Sequence, residues 1–184
     1  MSYWLGLWAG VDILKTGDGN PGATNLLRAT DIRWGAAAYC ADFSKAAIPV
    51  GLAYYIFDMR GWEVLPIAIA PVIGHMWSVF LGGRGGKALA AVLGTWIGLT
   101  LYEVPAVMLI QLIFWAWYLS NDGLAVLLSA VGMGAYLYFF LPNPIFGTIF
   151  VIQLILVMWT HRHHFLPKSK TAMPPSPSSI PDTP

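Results

Sequence analysis

ALAAVLGTWIGLTLYEVPAVMLIQLIFWAWYL, residues 88–119, is oily almost throughout and is broken near its middle by Glu103 and Pro105. A bilayer core takes roughly 17–25 apolar residues per helix, so the stretch is too long for one ordinary crossing. A proline just past an acidic residue favours a tight turn between two short helices. The segment therefore reads as two helices, Ala88–Tyr102 and Val104–Leu119. Sidedness depends on that division, because one helix fewer would move every later residue to the opposite face of a membrane.

Composition supplies the membrane. Only 10% of the 184 residues are charged and 57% are hydrophobic, whereas soluble domains carry about 25% charged residues. So few charges cannot cover a water-facing surface. Trp34–Phe57, Val64–Leu81, Leu124–Leu141 and the slightly short Ile145–Thr160 read as the other spans. With six spans, the segments Lys15–Arg33, Gly82–Lys87 and everything after His161 share one face, and they hold eight of the ten Lys and Arg. Lys45 lies inside a span and Arg60 lies opposite. Cytoplasmic loops are enriched in Lys and Arg, so the basic face is the cytoplasmic one. Fusing residues 88–119 into one helix would send the basic C-terminus outside, against that rule.

The fold class is thus all-α: a polytopic transmembrane helical bundle of about six full spans plus a short N-terminal segment. Met1–Gly10 is too short to cross alone, and reads as the remainder of a first span or as a helix lying in the interface. Residues 1–166 form the membrane domain, and the Pro/Ser-rich 167–184 reads as a disordered cytoplasmic tail. A net charge of +1 gives no pull toward nucleic acid. The single cysteine, Cys40, reads as a small buried hydrophobe.

Three polar clusters stand out against this background. Gly17–Arg28 (GDGNPGATNLLR) sits on the basic face just before a span. Its glycines can aim backbone N–H groups into an anion-binding concavity, and Asn20, Thr24, Asn25 and Arg28 add side-chain donors. That inventory suits a small phosphorylated, polyhydroxylated molecule, although an ordinary Gly/Pro turn accounts for the composition as well. The second cluster, Gly82-Gly83-Arg84-Gly85-Gly86-Lys87, opens the helix that begins at Ala88, where free N–H groups and the helix dipole attract anions. It is not a phosphate-binding ATPase loop, since Leu81 and Ala88 stand where Gly and Ser or Thr are required. A basic loop lying beside anionic lipid headgroups is the plainer alternative.

The third cluster, Thr160–Leu166 (THRHHFL), holds His161 and Arg162 and suffices as a basic membrane-edge anchor. His75, two turns before the second loop, reads by itself as a core histidine. Asp42 and Lys45 share a helix face inside a span, where ionisable residues are expensive and usually paired or functional. The histidines lack zinc-site spacing and carry no supporting Cys or carboxylate pair, so no metal and no cofactor are expected.

In order and spacing these clusters resemble the bacterial acyl-phosphate:glycerol-3-phosphate acyltransferases, a family of integral membrane enzymes. The family's Ser-Gly-Asn-Pro-Gly-Ala-Thr-Asn loop and closing arginine are matched by Gly19–Asn25 and Arg28. Its Asp-x-x-Lys pair is matched by Asp42 and Lys45. Its Gly-His, Phe and basic Gly-Gly-Lys loop are matched by Gly74, His75, Phe80 and Arg84–Lys87. The resemblance implies transfer of an acyl group from acyl phosphate to the 1-hydroxyl of sn-glycerol 3-phosphate, giving lysophosphatidic acid and phosphate. It implies a bacterial inner-membrane location, and a soluble enzyme that makes the acyl phosphate. Carried over, it makes His75 and Lys87 the catalytic candidates. Gly19, Asn20, Gly22, Thr24, Asn25, Arg28, Gly82, Gly83, Arg84, Gly85 and Gly86 become substrate-binding, and Asp42, Lys45, His161 and Arg162 supporting.

The sequence departs from the family at several positions. Asp18 replaces the loop serine, Ser78 a proline, and Ala88 and Ala91 a glycine and a threonine. The acidic residue and asparagine that end the third motif give way to His163-His164 or His164-Phe165. Asp18 and the altered third motif keep a catalytically impaired paralogue open as an alternative. An anion transporter is the other, and the absence of a visible repeat weighs against it.

Overall fold

The computed structural model describes residues 1–165, except for the side chains of Asp122, His163, His164 and Phe165. The expected disordered tail and the altered end of the third motif lie outside that description. Eight α-helices and no strand occur among the described residues. They are α1 (Ser2–Trp8), α2 (Ala23–Ala29), α3 (Ile32–Gly51), α4 (Val64–Met76), α5 (Leu89–Thr100), α6 (Glu103–Tyr118), α7 (Asp122–Phe140) and α8 (Pro144–Phe165).

Local chemistry sets several of the boundaries. Asp31 caps α3 by accepting from the backbone N–H groups of Arg33 and Trp34, and Asn121 caps α7 by accepting from Leu124, each satisfying donors that have no intrahelical partner. Pro144 opens α8, where its missing N–H costs nothing. Pro49 lies inside α3, and the chain then widens into a π turn over Leu52–Ile56.

The division of residues 88–119 is as expected: α5 ends at Thr100 and α6 starts at Glu103, with Pro105 in its first turn. The Tyr136 hydroxyl donates to Glu103 at 2.6 Å and ties this turn to α7. Helices occupy all six segments expected to cross, but they are unequal. Val64–Leu81, Gly123–Phe140 and Pro144–Arg162 are long and apolar enough to span. The 12 residues of α5 and 16 of α6 reach only ~18 and ~24 Å, short of a ~30 Å core. The expected span at Val64–Leu81 is also irregular. Its helix stops at Met76, and a short 3-10 turn at Val79–Leu81 completes it.

α3 packs most closely on α5, through glycines four residues apart. A methyl group on Gly94 would run into the Phe43 carbonyl, and one on Gly98 would lie 2.7 Å from the Val50 side chain. Small residues at this spacing let two backbones touch, which is how helices associate without a hydrophobic driving force between them. In the core, fully buried Trp96 donates to Gln153 at 2.8 Å. Gln153 and Thr95 in turn reach the Ala68 carbonyl, at 3.4 and 3.3 Å. One satisfied polar network thus binds α4, α5 and α8. Cys40 is exposed rather than buried as expected, and it lines an apolar groove on the outside of the bundle.

Candidate active site

The first polar loop is organised around Asn25, which is 2% exposed. Its side-chain amide donates to the Asp18 carboxylate at 2.7 Å and to the carbonyls of Thr16 and Asn20, each at 3.1 Å. The loop therefore curls around one side chain. Asp18 accepts from the Asn20 backbone with the same oxygen. Its other oxygen accepts from Lys87 Nζ at 2.9 Å, from the far loop. Burial alone would raise the Asp18 pKa. The Lys87 hydrogen bond and charge, with the Asn20 and Asn25 donors, outweigh it and hold the carboxyl below its usual range.

The glycines of the second loop serve two different purposes. Gly82 and Gly83 have φ of 61 and 82°, a left-handed turn that other residues rarely adopt. Gly85 and Gly86 instead lie flat against the end of α4. A side chain on Gly85 would strike the His75 and Met76 carbonyls, and one on Gly86 would strike His75 Nε2. The Gly86 N–H donates to the His75 carbonyl at 3.0 Å, and Thr160 of α8 donates to the Lys87 carbonyl at 3.3 Å. Ala88 follows at φ 64° with 1% exposure. Alanine adopts this left-handed backbone only under strain.

Behind the loops, α3 and α4 share a charged cluster. Lys45 Nζ donates to Asp42 at 2.8 Å and lies 2.6 Å from His75 Nδ1. The second Asp42 oxygen accepts from the buried Ser2 hydroxyl at 2.5 Å. An ammonium has only protons to offer, so Nδ1 accepts, and the imidazole carries its proton on Nε2, against the Gly86 backbone.

Two cavities open where these parts meet. The larger, about 540 Å³, is lined by Gly19, Arg84, Gly85, Gly86 and Arg162, with Trp77 and Trp159. The smaller, about 300 Å³, is lined by Gly22, Thr24, Asn25, Arg28, Asp42, His75 and His161. Asp18, Asn20 and Lys87 line both. The segments expected to share a face thus converge at one end of the bundle. Gly82, Gly83 and Lys45 line neither cavity; the two glycines shape the turn and Lys45 stands behind Asp42 and His75. His161 is 2% exposed and bonds back to the Val157 carbonyl, so it is part of the cavity wall rather than an edge anchor. Arg162 is exposed, with its guanidinium 4.7 Å from the Trp159 ring.

An apolar groove of about 270 Å³ meets the smaller cavity at Tyr39, Leu89, Ala90 and Leu112. Sequence reading missed Tyr39, whose hydroxyl lies 2.6 Å from that of Thr24. Its position three residues before Asp42, on the same helix face, was the available signal. It also missed Ser2, which nothing in an apolar N-terminal run distinguishes. Among the described residues no group of His, Cys and carboxylates is placed to hold a metal. The site combines cationic groups on two adjoining cavities with an apolar entry, an arrangement for two anionic molecules of which one carries a hydrocarbon chain.

The profile of the family described as Glycerol-3-phosphate acyltransferase matches residues 1–166. The chain belongs to that family. This acyltransferase is 30% identical over 158 residues to the glycerol-3-phosphate acyltransferase of Aquifex aeolicus, an alignment covering 84% of this chain and 80% of the relative. It is 34% identical over 156 residues to that of Syntrophotalea carbinolica, covering 83% and 76%. Two crystal structures of PlsY, an integral membrane glycerol 3-phosphate acyltransferase, superpose on it at 25% identity. The glycerol 3-phosphate form has a TM-score of 0.80 and covers 89% of this chain and 82% of PlsY. The lysophosphatidic acid form has a TM-score of 0.82 and covers 90% and 82%. The acyltransferase is thus an all-helical integral membrane protein of the PlsY fold.

Proposed function

We propose that the chain transfers an acyl group from acyl phosphate to the 1-hydroxyl of sn-glycerol 3-phosphate, releasing lysophosphatidic acid and inorganic phosphate. One observation carries this reading: two polar cavities abut across Lys87 and Asp18, and one of them continues into an apolar groove. Both substrates are phosphorylated and one is a lipid. The acyl phosphate fits the smaller cavity, its phosphate near Arg28 and Lys87 and its chain in the groove. Glycerol 3-phosphate then occupies the larger, with Arg84 and Arg162 as cationic partners. Attack across the shared wall forms the ester C–O bond as the C–O bond to phosphate breaks. The electron pair leaves with the phosphate, which also takes the hydroxyl proton. Lys87 stabilises charge on the phosphate, and His75 offers the Nε2 proton as a donor. The protein's task is positioning and charge stabilisation. The cavities face the cytoplasm of a bacterial inner membrane, where a soluble enzyme supplies the acyl phosphate.

Acyl phosphate plus labelled glycerol 3-phosphate in membranes holding the protein tests this reading. Labelled lysophosphatidic acid above an empty-membrane control is the expected result, and its absence refutes it. The Asp18–Lys87 bridge favours one second reading, a catalytically impaired paralogue that binds phospholipid precursors without turnover. Binding of glycerol 3-phosphate without product, with turnover appearing in Asp18→Ser, would favour that alternative.

A further inference from the structure

Of the four residues at which the polar cavity meets the apolar groove, only Tyr39 brings a polar side-chain group; Leu89, Ala90 and Leu112 bring none. Its hydroxyl is paired with that of Thr24 at 2.6 Å. Two hydroxyls carry two protons, and their mutual bond uses one whichever of them donates. Among the described residues the second proton meets no acceptor. Both residues are exposed, Tyr39 at 41%, so this proton can turn toward whatever polar group reaches the boundary. A molecule with its phosphate in the cavity and its chain in the groove must bring its carbonyl oxygen to this boundary.

We propose that the Tyr39–Thr24 hydroxyl pair donates its spare proton to the acyl carbonyl oxygen, with Tyr39 the catalytic donor that polarises the carbonyl for attack. The assignment rests on the reaction proposed above and adds a residue to it. As the glycerol 1-oxygen bonds to the carbonyl carbon, negative charge gathers on the carbonyl oxygen. The hydroxyl bond strengthens at that moment and relaxes when the C–O bond to phosphate breaks. Tyr39 neither loses nor gains a proton in the cycle. The hydroxyl acts on a group common to all acyl donors, so its effect is independent of chain length, whereas its ring borders the chain.

Tyr39→Phe keeps the ring and removes the hydroxyl. Removing one oxyanion donor can cost ~100-fold in kcat; here Thr24 can offer its own proton instead, so the expected fall is about tenfold. The fall should be equal for butyryl and palmitoyl phosphate, with KM for glycerol 3-phosphate unchanged. An unchanged kcat, or a loss confined to palmitoyl phosphate, overturns the assignment. A palmitoyl phosphonate labelled with ¹³C at the carbonyl provides a readout on the unaltered protein. Its infrared carbonyl band should shift to lower frequency on binding, and an unshifted band also overturns the assignment. Unaltered protein that makes no lysophosphatidic acid would refute the proposed reaction, whereas active protein beside an unaffected Tyr39→Phe would refute only the role of Tyr39.

Discussion

Replacing Asp18 with serine removes a carboxylate that stands 2.9 Å from the Lys87 ammonium, on the wall between the two cavities. A phosphoryl group that takes Lys87 as its partner must displace that carboxylate and then lie beside it. Two negative charges facing one at ~5 Å repel by ~1.7 kcal/mol at the dielectric constant of water, and salt screening leaves ~1 kcal/mol. The ion pair itself is substantially exposed, 29% at Lys87 and 46% at Asp18, so breaking it adds only ~0.5 kcal/mol. Together these predict that Asp18→Ser lowers KM for the phosphorylated substrates by roughly tenfold. The assay is initial-rate lysophosphatidic acid formation in membranes, varying each substrate in turn. Because the main part is Coulombic, the gain should shrink as ionic strength rises. The pH dependence follows from the depressed pKa of Asp18. The carboxylate is ionised throughout the neutral range. The pair's contribution and the repulsion are both lost only as pH falls through that lowered value, so the gain should persist between about pH 6 and pH 8. An unchanged or higher KM in Asp18→Ser would mean that the carboxylate assists substrate binding, and would refute the reasoning.

Lys87→Ala and Arg28→Ala should each abolish lysophosphatidic acid formation while leaving expression intact; activity retained in either counts against the proposed roles. Ala88→Gly should stabilise the protein by ~0.5–1 kcal/mol, because relief of a left-handed alanine exceeds the entropy that glycine gives up on folding. A rise in the thermal unfolding temperature in detergent is the check. Gly94→Leu drives a side chain into the Phe43 carbonyl and should part α3 from α5 at a cost of ~3 kcal/mol or more. Loss of the monodisperse folded fraction on size exclusion is the expected outcome, and normal yield would show that the contact can relax.

The membrane bundle was legible because charge is too scarce to cover a water-facing surface, and the break after Thr100 because Glu103 and Pro105 mark it. The end of α4 at Met76 was not. The run Met76–Leu81 is mostly apolar, and its helix is interrupted where Gly85 and Gly86 pack on the His75 and Met76 carbonyls, a tertiary contact with no local trace. Cys40 was misread for a related reason. Hydrophobicity cannot distinguish a side chain facing other helices from one facing lipid. The two glycine-rich loops announced themselves by composition, but their meeting through Asp18 and Lys87 joins residues 69 apart in sequence. Asp42 and Lys45 were paired on spacing alone, whereas Ser2, 40 residues from the aspartate it holds, gave no sign.

The partition between the two chambers, shared by Asp18, Asn20 and Lys87, is closed by one ion pair between the Asp18 and Lys87 side chains. Asn25 and Asn20 hold the aspartate, so the half of this divider that can follow a change of charge is the lysine. Filling one chamber therefore re-sets the electrical landscape of its neighbour, and the two ligands cannot be treated as independent tenants. In the proposed reaction, orthophosphate left behind after a turnover would keep the lysine on its own side and weaken the grip of the other chamber on its ligand.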